Sequence, residues 1–154
     1  MKKNKSIDHQ LRATWQAVAK LYNERATKYD STMATAFVLL NIDYDHGTPS
    51  TSLGPLMGME PTSLSRILKT MESKGAIIRE KNPNDGRGVI IKLTDYGKKM
   101  RELSKESVIT FNNAIVKNIT KEELNAFFKV IFTINKLISD KKIYQDETID
   151  KKAV

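Results

Sequence analysis

The chain has 154 residues, a formal net charge of +8, and 40% hydrophobic and 29% charged residues, ordinary figures for one soluble globular domain. With no cysteine and two histidines it excludes disulfides, thiolate metal sites, thiol redox sensing and an imidazole metal cluster, so no cofactor or metal is expected. No run of 18 apolar residues is present, and Met-Lys-Lys-Asn-Lys leads into polar helical sequence instead of an apolar signal region, which predicts a cytoplasmic protein without a membrane partner.

Ile7, Leu11, Trp15, Val18 and Tyr22 recur at three- and four-residue steps, predicting a first helix of about six turns that ends near Asp30. A second helix is predicted from Thr32 to about Tyr44, with Met33, Ala36, Phe37, Leu40 and Tyr44 on one face; Asp45-His-Gly-Thr-Pro49 breaks it. Thr48 reads as the N-cap and Pro49 as the first residue of a third helix carrying Leu53, Leu56 and Met57 before Gly58, with Pro55 awkwardly inside. The fourth helix starts at Pro61 and runs to about Lys74, where Gly75 stops it.

That fourth helix divides into two faces. At about 100° per residue, Leu64, Ile67, Leu68 and Met71 fall on one side, while Thr62, Ser65, Arg66, Lys69 and Ser73 cluster on the other. No carboxylate stands among those five, so a phosphate-lined groove could approach them without charge repulsion. Next come two β-branched runs, Ala76-Ile-Ile-Arg-Glu-Lys81 and Val89-Ile-Ile-Lys-Leu93, predicting a hairpin with a longer loop over Asn82-Pro-Asn-Asp-Gly-Arg-Gly88. Arg79, Lys81, Arg87 and Lys92 are its candidate exposed cations, and Arg87 at the tip is placed to enter a narrow minor groove. A turn in which Asp85 and Arg87 only pair with each other is the alternative reading of that tip.

Thr94 can cap a long helix reaching about Asn118, with Met100, Leu103, Phe111 and Ile115 as its apolar line. Thr120-Lys-Glu-Glu123 is a capping box opening a last helix with Leu124, Phe127, Phe128, Ile131, Ile134 and Ile138 on one side. After Ile143 the periodicity is lost, and a frayed tail is expected over 143–154. Charge is concentrated in the middle: residues 61–101 hold ten Lys/Arg against four Asp/Glu, as a phosphate-binding surface would require, whereas a merely solvated basic face is the bland alternative.

Nothing in the chain points to catalysis. It has no phosphate-binding glycine loop, no Gly-x-Ser-x-Gly elbow and no His-Glu-x-x-His, and neither His9 nor His46 has a sequence-local partner that would make it a general base. The order helix, helix, hairpin instead reads as a winged helix-turn-helix, which needs no catalytic group. Its use as a protein-binding module without DNA remains the alternative.

Between Ile7 and Lys142 the chain resembles the MarR family of bacterial winged-helix transcription regulators, most densely over Leu53 to Gly97. Leu64-Ser-Arg-Ile-Leu-Lys-Thr-Met-Glu-Ser-Lys-Gly-Ala-Ile-Ile-Arg79 is similar to the family's recognition helix leading into the first wing strand, and Asp85-Gly-Arg87 with Ile91-Lys-Leu-Thr-Asp-Tyr-Gly97 to the wing tip, second strand and start of the long helix. The resemblance implies a mainly α (α+β) fold: a winged helix-turn-helix DNA-binding domain over 31–97, and long N- and C-terminal dimerisation helices over 1–30 and 98–142. It implies a homodimer on a pseudo-palindromic operator in double-stranded DNA. By position, Thr62, Ser63, Ser65, Arg66 and Lys69 would face bases and phosphates, with Arg79, Lys81 and Arg87 contributing from the wing. Trp15, Phe111, Phe127, Phe128 and Ile131 exceed what a winged helix of about 60 residues needs to cover itself, although an intramolecular bundle would also bury them. The family implies a ligand-responsive repressor released by a small aromatic ligand; Tyr22, Tyr29, Tyr44 and Met33 could line such a space, but aromatic and Met residues at helical spacing are far more often core, so no pocket residue is assigned. Three features depart from the family's usual pattern: Glu60 at the entry of the fourth helix, Gly54-Pro55 within the third, and Asn82 and Asn84 in the wing.

Overall fold

The computed structural model describes residues 6–83 and 85–144, apart from the Arg87 side chain; residues 145–154 of the expected tail lie outside the described residues. Six helices and three strands follow in the order α1 (Ile7–Thr27), α2 (Met33–Asn41), β1 (Thr48–Pro49), α3 (Ser50–Met57), α4 (Pro61–Ser73), β2 (Ile77–Asn82), β3 (Asp85–Leu93), α5 (Asp95–Val116) and α6 (Lys121–Ser139) among the described residues. The chain forms two compact units, Met1–Ile109 and Thr110–Val154. Helix α5 begins in the first and ends in the second.

Local chemistry sets the helix ends. Thr32 caps α2 by accepting from the Thr35 amide at 3.1 Å. In the predicted capping box of α6, Thr120 Oγ1 accepts from the Glu123 amide at 3.2 Å and Glu123 Oε2 accepts from the Thr120 amide at 2.8 Å. Both α3 and α4 stop at a left-handed glycine, Gly58 and Gly75, with the following amide reaching back to Gly54 O and Met71 O. The same closure ends α1 and α6 on non-glycine residues: Asp30 at φ +50° and Lys141 at φ +55°.

Three sequence expectations are corrected. Helix α2 ends at Asn41, short of Tyr44, because the Asp43 carboxylate accepts from the Asp45 and His46 amides and folds the chain into a turn. Those same bonds hold the Asp43 carboxyl below its usual value. Thr48 and Pro49 do not open α3; they form β1, pairing Thr48 with Ile91 and Pro49 with Ile90, and the Thr48 hydroxyl accepts from the Asp43 amide at 2.9 Å. The wing is also tighter than predicted. β3 runs back to Asp85, the β2–β3 register shifts between Lys81 and Asn82, and Asn82 pairs with Asp85. A Cβ on Gly88 would sit 3.1 Å from Asp85 Oδ2 and 3.2 Å from Asn82 Cβ, so a side chain there would crowd the tip.

The sheet order β1-β3-β2 places β3 centrally. Val38, Leu39 and Ile42 from α2, Leu53 from α3, Leu64, Leu68 and Met71 from α4, Ala76 and Ile77 from β2, Ile91 and Leu93 from β3 and Met100 from α5 make one core, none more than 9% exposed. Fully burying each leucine or isoleucine contributes about 2 kcal/mol, so the helix pair and wing hold each other. Neither α1 nor α6 has a buried residue.

Candidate nucleic-acid interface

Helix α4 puts its predicted faces where the sequence period requires. Leu64, Leu68 and Met71 are buried, Ile67 is half-buried, and Thr62, Ser63, Ser65, Arg66 and Lys69 are exposed. Pro61 occupies the first helical position and lacks an amide hydrogen, while Glu60 at the N-cap makes no side-chain capping bond. The amides of Thr62 and Ser63 therefore remain available to an anion beside their hydroxyls. Arg66 and Lys69 meet no carboxylate among the described residues.

The wing cations differ from expectation. Arg79 Nε donates to Glu72 Oε2 of α4 at 3.0 Å, and Lys92 Nζ lies 2.6 Å from Glu80 Oε2 on the neighbouring strand. Both charges are locally compensated, which the sequence period could not reveal because the partners sit on other elements. The Glu80–Lys92 pair was accessible in principle, since it becomes diagonal once β2 and β3 are aligned. Lys81 is exposed and without a carboxylate partner among the described residues, whereas the Arg87 side chain lies outside the described residues. A groove of about 600 Å³ runs between α3 and α4, passing Thr51, Gly54, Glu60, Ser65 and Arg79. Sequence reasoning missed the contribution of Thr51 to this surface.

Two further spaces lie within the first unit. Tyr22, Tyr29 and Met33 line a cleft with Phe37, Leu103 and Ser107, but only about 30 Å³ remains open, room for one or two waters. Burial pushes the Tyr22 hydroxyl above its ordinary pKa. Arg25 Nε spans this cleft to Ser107 Oγ at 2.8 Å. Tyr44 is elsewhere, its ring facing Lys98 Nζ at 4.5 Å. A larger cavity of about 220 Å³ opens where the end of α1, the start of α2, the last turn of α4 and the start of α5 converge. Among the described residues there is no acidic, histidine or cysteine cluster able to hold a metal, and no helix is long and apolar enough to cross a membrane.

An exposed hydroxyl-and-cation helix face beside a two-stranded wing is the pairing of elements that a winged helix presents to DNA. Comparison with known proteins agrees. The sequence pattern described as "MarR family" matches residues 32–89, from the N-cap of α2 to mid-β3. The chain is 28% identical over 131 residues to the HTH-type transcriptional regulator SarZ of Staphylococcus aureus (strain USA300), covering 84% of each protein. It is 31% identical over 75 residues to the HTH-type regulator YdgJ of Bacillus subtilis, a match spanning 49% of this chain and 46% of YdgJ. Among solved structures, the reduced form of MarR from E. coli superposes with a TM-score of 0.71 at 28% identity, over 84% of this chain and 96% of that one. These relatives are named as regulators of transcription; the chain carries the MarR-family pattern over residues 32–89 and is similar over most of its length to helix-turn-helix transcriptional regulators.

Proposed function

We propose that the protein is a sequence-specific homodimeric repressor that binds a pseudo-palindromic operator and is controlled by a small ligand. One observation carries this reading: the outward face of α4 offers Thr62, Ser63, Ser65, Arg66 and Lys69 with no carboxylate partner on either cation among the described residues. In a major groove the hydroxyls and Lys69 hold phosphates, and Arg66 reads a guanine through O6 and N7 together, a contact worth about 1–3 kcal/mol of discrimination. Lys81 and Arg87 reach the flanking backbone and minor groove, while Arg79, tied to Glu72, steadies α4 against β2 more than it neutralises phosphate.

The dimer reading rests on uncovered apolar surface. Trp15 on α1 is 52% exposed, and Phe128 and Phe132 on α6 are 59% and 68% exposed. A second copy would cover such surface and set two reading helices one turn of DNA apart. Ligand control is supported by the 220 Å³ cavity, whose occupant would touch the long helices and the reading helix at once.

Selection of duplexes from a random pool at moderate salt tests the proposal. An inverted repeat with half-sites about one helical turn apart is expected. Arg66→Ala should relax one base position of each half-site, and Arg87→Ala should weaken binding to all sequences. Wild-type selectivity and affinity in both variants would remove these assignments. A flat dependence of affinity on salt would favour a protein-binding module instead.

A further inference from the structure

We propose that Arg79 is a positioning residue for DNA binding that does not itself touch the duplex: by holding Glu72 it keeps Lys69 free to bind phosphate. This deepens the reading of the α4 face given above and rests on it.

Glu72 is the only acid in α4, and it stands three residues after Lys69, one turn along and about 60° around the helix. Lysine and glutamate at that spacing are neighbours on a helix surface and pair there when nothing competes. Here Arg79 competes. Its Nε donates to Glu72 Oε2 at 3.0 Å, and Lys69 stays exposed with no carboxylate partner among the described residues. Left to itself, Glu72 would draw off one of the two cations of the reading face and set an uncompensated negative charge beside an approaching phosphate.

The sheet decides where Arg79 points. It stands opposite Ile91 in the β2–β3 register and two residues beyond the buried Ile77, so it shares the face of β2 that packs on the helices. From there it lines the groove between α3 and α4 with Ser65 and Leu68, the only cation lining that groove among the described residues. The Arg79 side chain is 34% exposed and that of Glu72 43%, open enough to water for the pair to add little to folding. What the pair does fix is which charge the reading helix shows: Arg66 and Lys69 outward, with the single carboxylate of α4 tied to the wing.

The test uses the full chain and a random-sequence duplex of about three helical turns, with affinity followed against salt. Arg79→Met keeps the apolar stem and removes the charge; Arg79→Gln takes its place if the methionine variant loses its fold. The variant is expected to bind several-fold more weakly per reading helix and to flatten the slope of log affinity against log salt by about one, as the loss of one phosphate contact would. Glu72→Gln should bind no more weakly than the wild type, and Arg79→Met combined with Glu72→Gln should regain both affinity and slope. A double variant as weak and as flat as Arg79→Met would show Arg79 holding phosphate itself and would overturn the inference. Equal losses of affinity and of urea midpoint in the two single variants, the mark of a pair that only fastens β2 to α4, would overturn it as well. Lys69→Ala separates the inference from the reading beneath it. Wild-type binding by Lys69→Ala would sink both, whereas a flattened slope in Lys69→Ala with none in Arg79→Met would sink the role of Arg79 alone.

Discussion

Gly97 stands where no side chain fits. A Cβ on it would overlap the Ala76 carbonyl, whose oxygen accepts from the Thr94 amide at 3.1 Å, so the first turn of α5 is seated directly on the start of β2. Gly75 is glycine for another reason: its φ is +72°, and a Cβ there would meet no atom within 4 Å. The two alanine variants should therefore separate. Gly75→Ala carries backbone strain alone and is expected to cost about 1 kcal/mol, whereas Gly97→Ala must displace backbone and should cost at least about 3 kcal/mol in urea unfolding. Equal costs would show that the α5–β2 seat yields easily. Glu60 makes the opposite kind of statement, a carboxylate at the mouth of the reading helix with no capping bond. Its field opposes phosphate approach, so Glu60→Gln is expected to raise DNA affinity about fivefold at low salt, with the gain shrinking as salt rises. A salt-independent gain, or none, would place Glu60 away from the backbone of the bound duplex.

At the scale of elements, legibility followed the strength of the period. The amphipathic split of α4, fixed by Leu64, Leu68 and Met71 and punctuated by Pro61 and Gly75, was readable because burial and local chemistry agree there. β1 was not, since two residues carry no alternation and Thr48-Pro49 has the composition of a helix start. The wing's second strand was legible from Val89 to Leu93, but its start at Asp85 hid behind Gly86 and Gly88, residues that signal loops when read alone. Of the candidate site, the α4 face was legible. The pairing of Arg79 with Glu72 was not, because it joins α4 to β2 across the Gly75 turn, nor was the cavity between four helices, whose lining is gathered from residues far apart in sequence. The Thr120 capping box was legible in four consecutive residues, and it is testable in the same terms: Thr120→Ala removes the acceptor of the Glu123 amide and should cost about 1 kcal/mol, seen as a lower urea midpoint with an unchanged slope. No loss would mean that α6 is held by its packing alone.

For the whole molecule, charge and apolar surface divide the labour. Residues 61–101 carry ten of the 26 cations against four acids, while Phe127, Phe128, Val130, Phe132 and Ile138 leave one helix of the second unit largely uncovered. An isolated chain would leave each of these five side chains more than half exposed, the kind of apolar surface that a partner covers. If a second copy covers it, replacing Phe128 and Phe132, one turn apart on α6, with lysine should convert a dimer into a monomer in sedimentation equilibrium. Because neither residue belongs to the winged helix core, helicity and the Leu53–Ile77 packing should persist. Operator binding would then fall steeply, since one reading helix contacts only one half-site and the linked second contact is lost, whereas binding to unspecific duplex would fall far less. A variant that stays dimeric, or a monomer that keeps full operator affinity, would show that the exposed phenylalanines serve some purpose other than joining two copies on DNA.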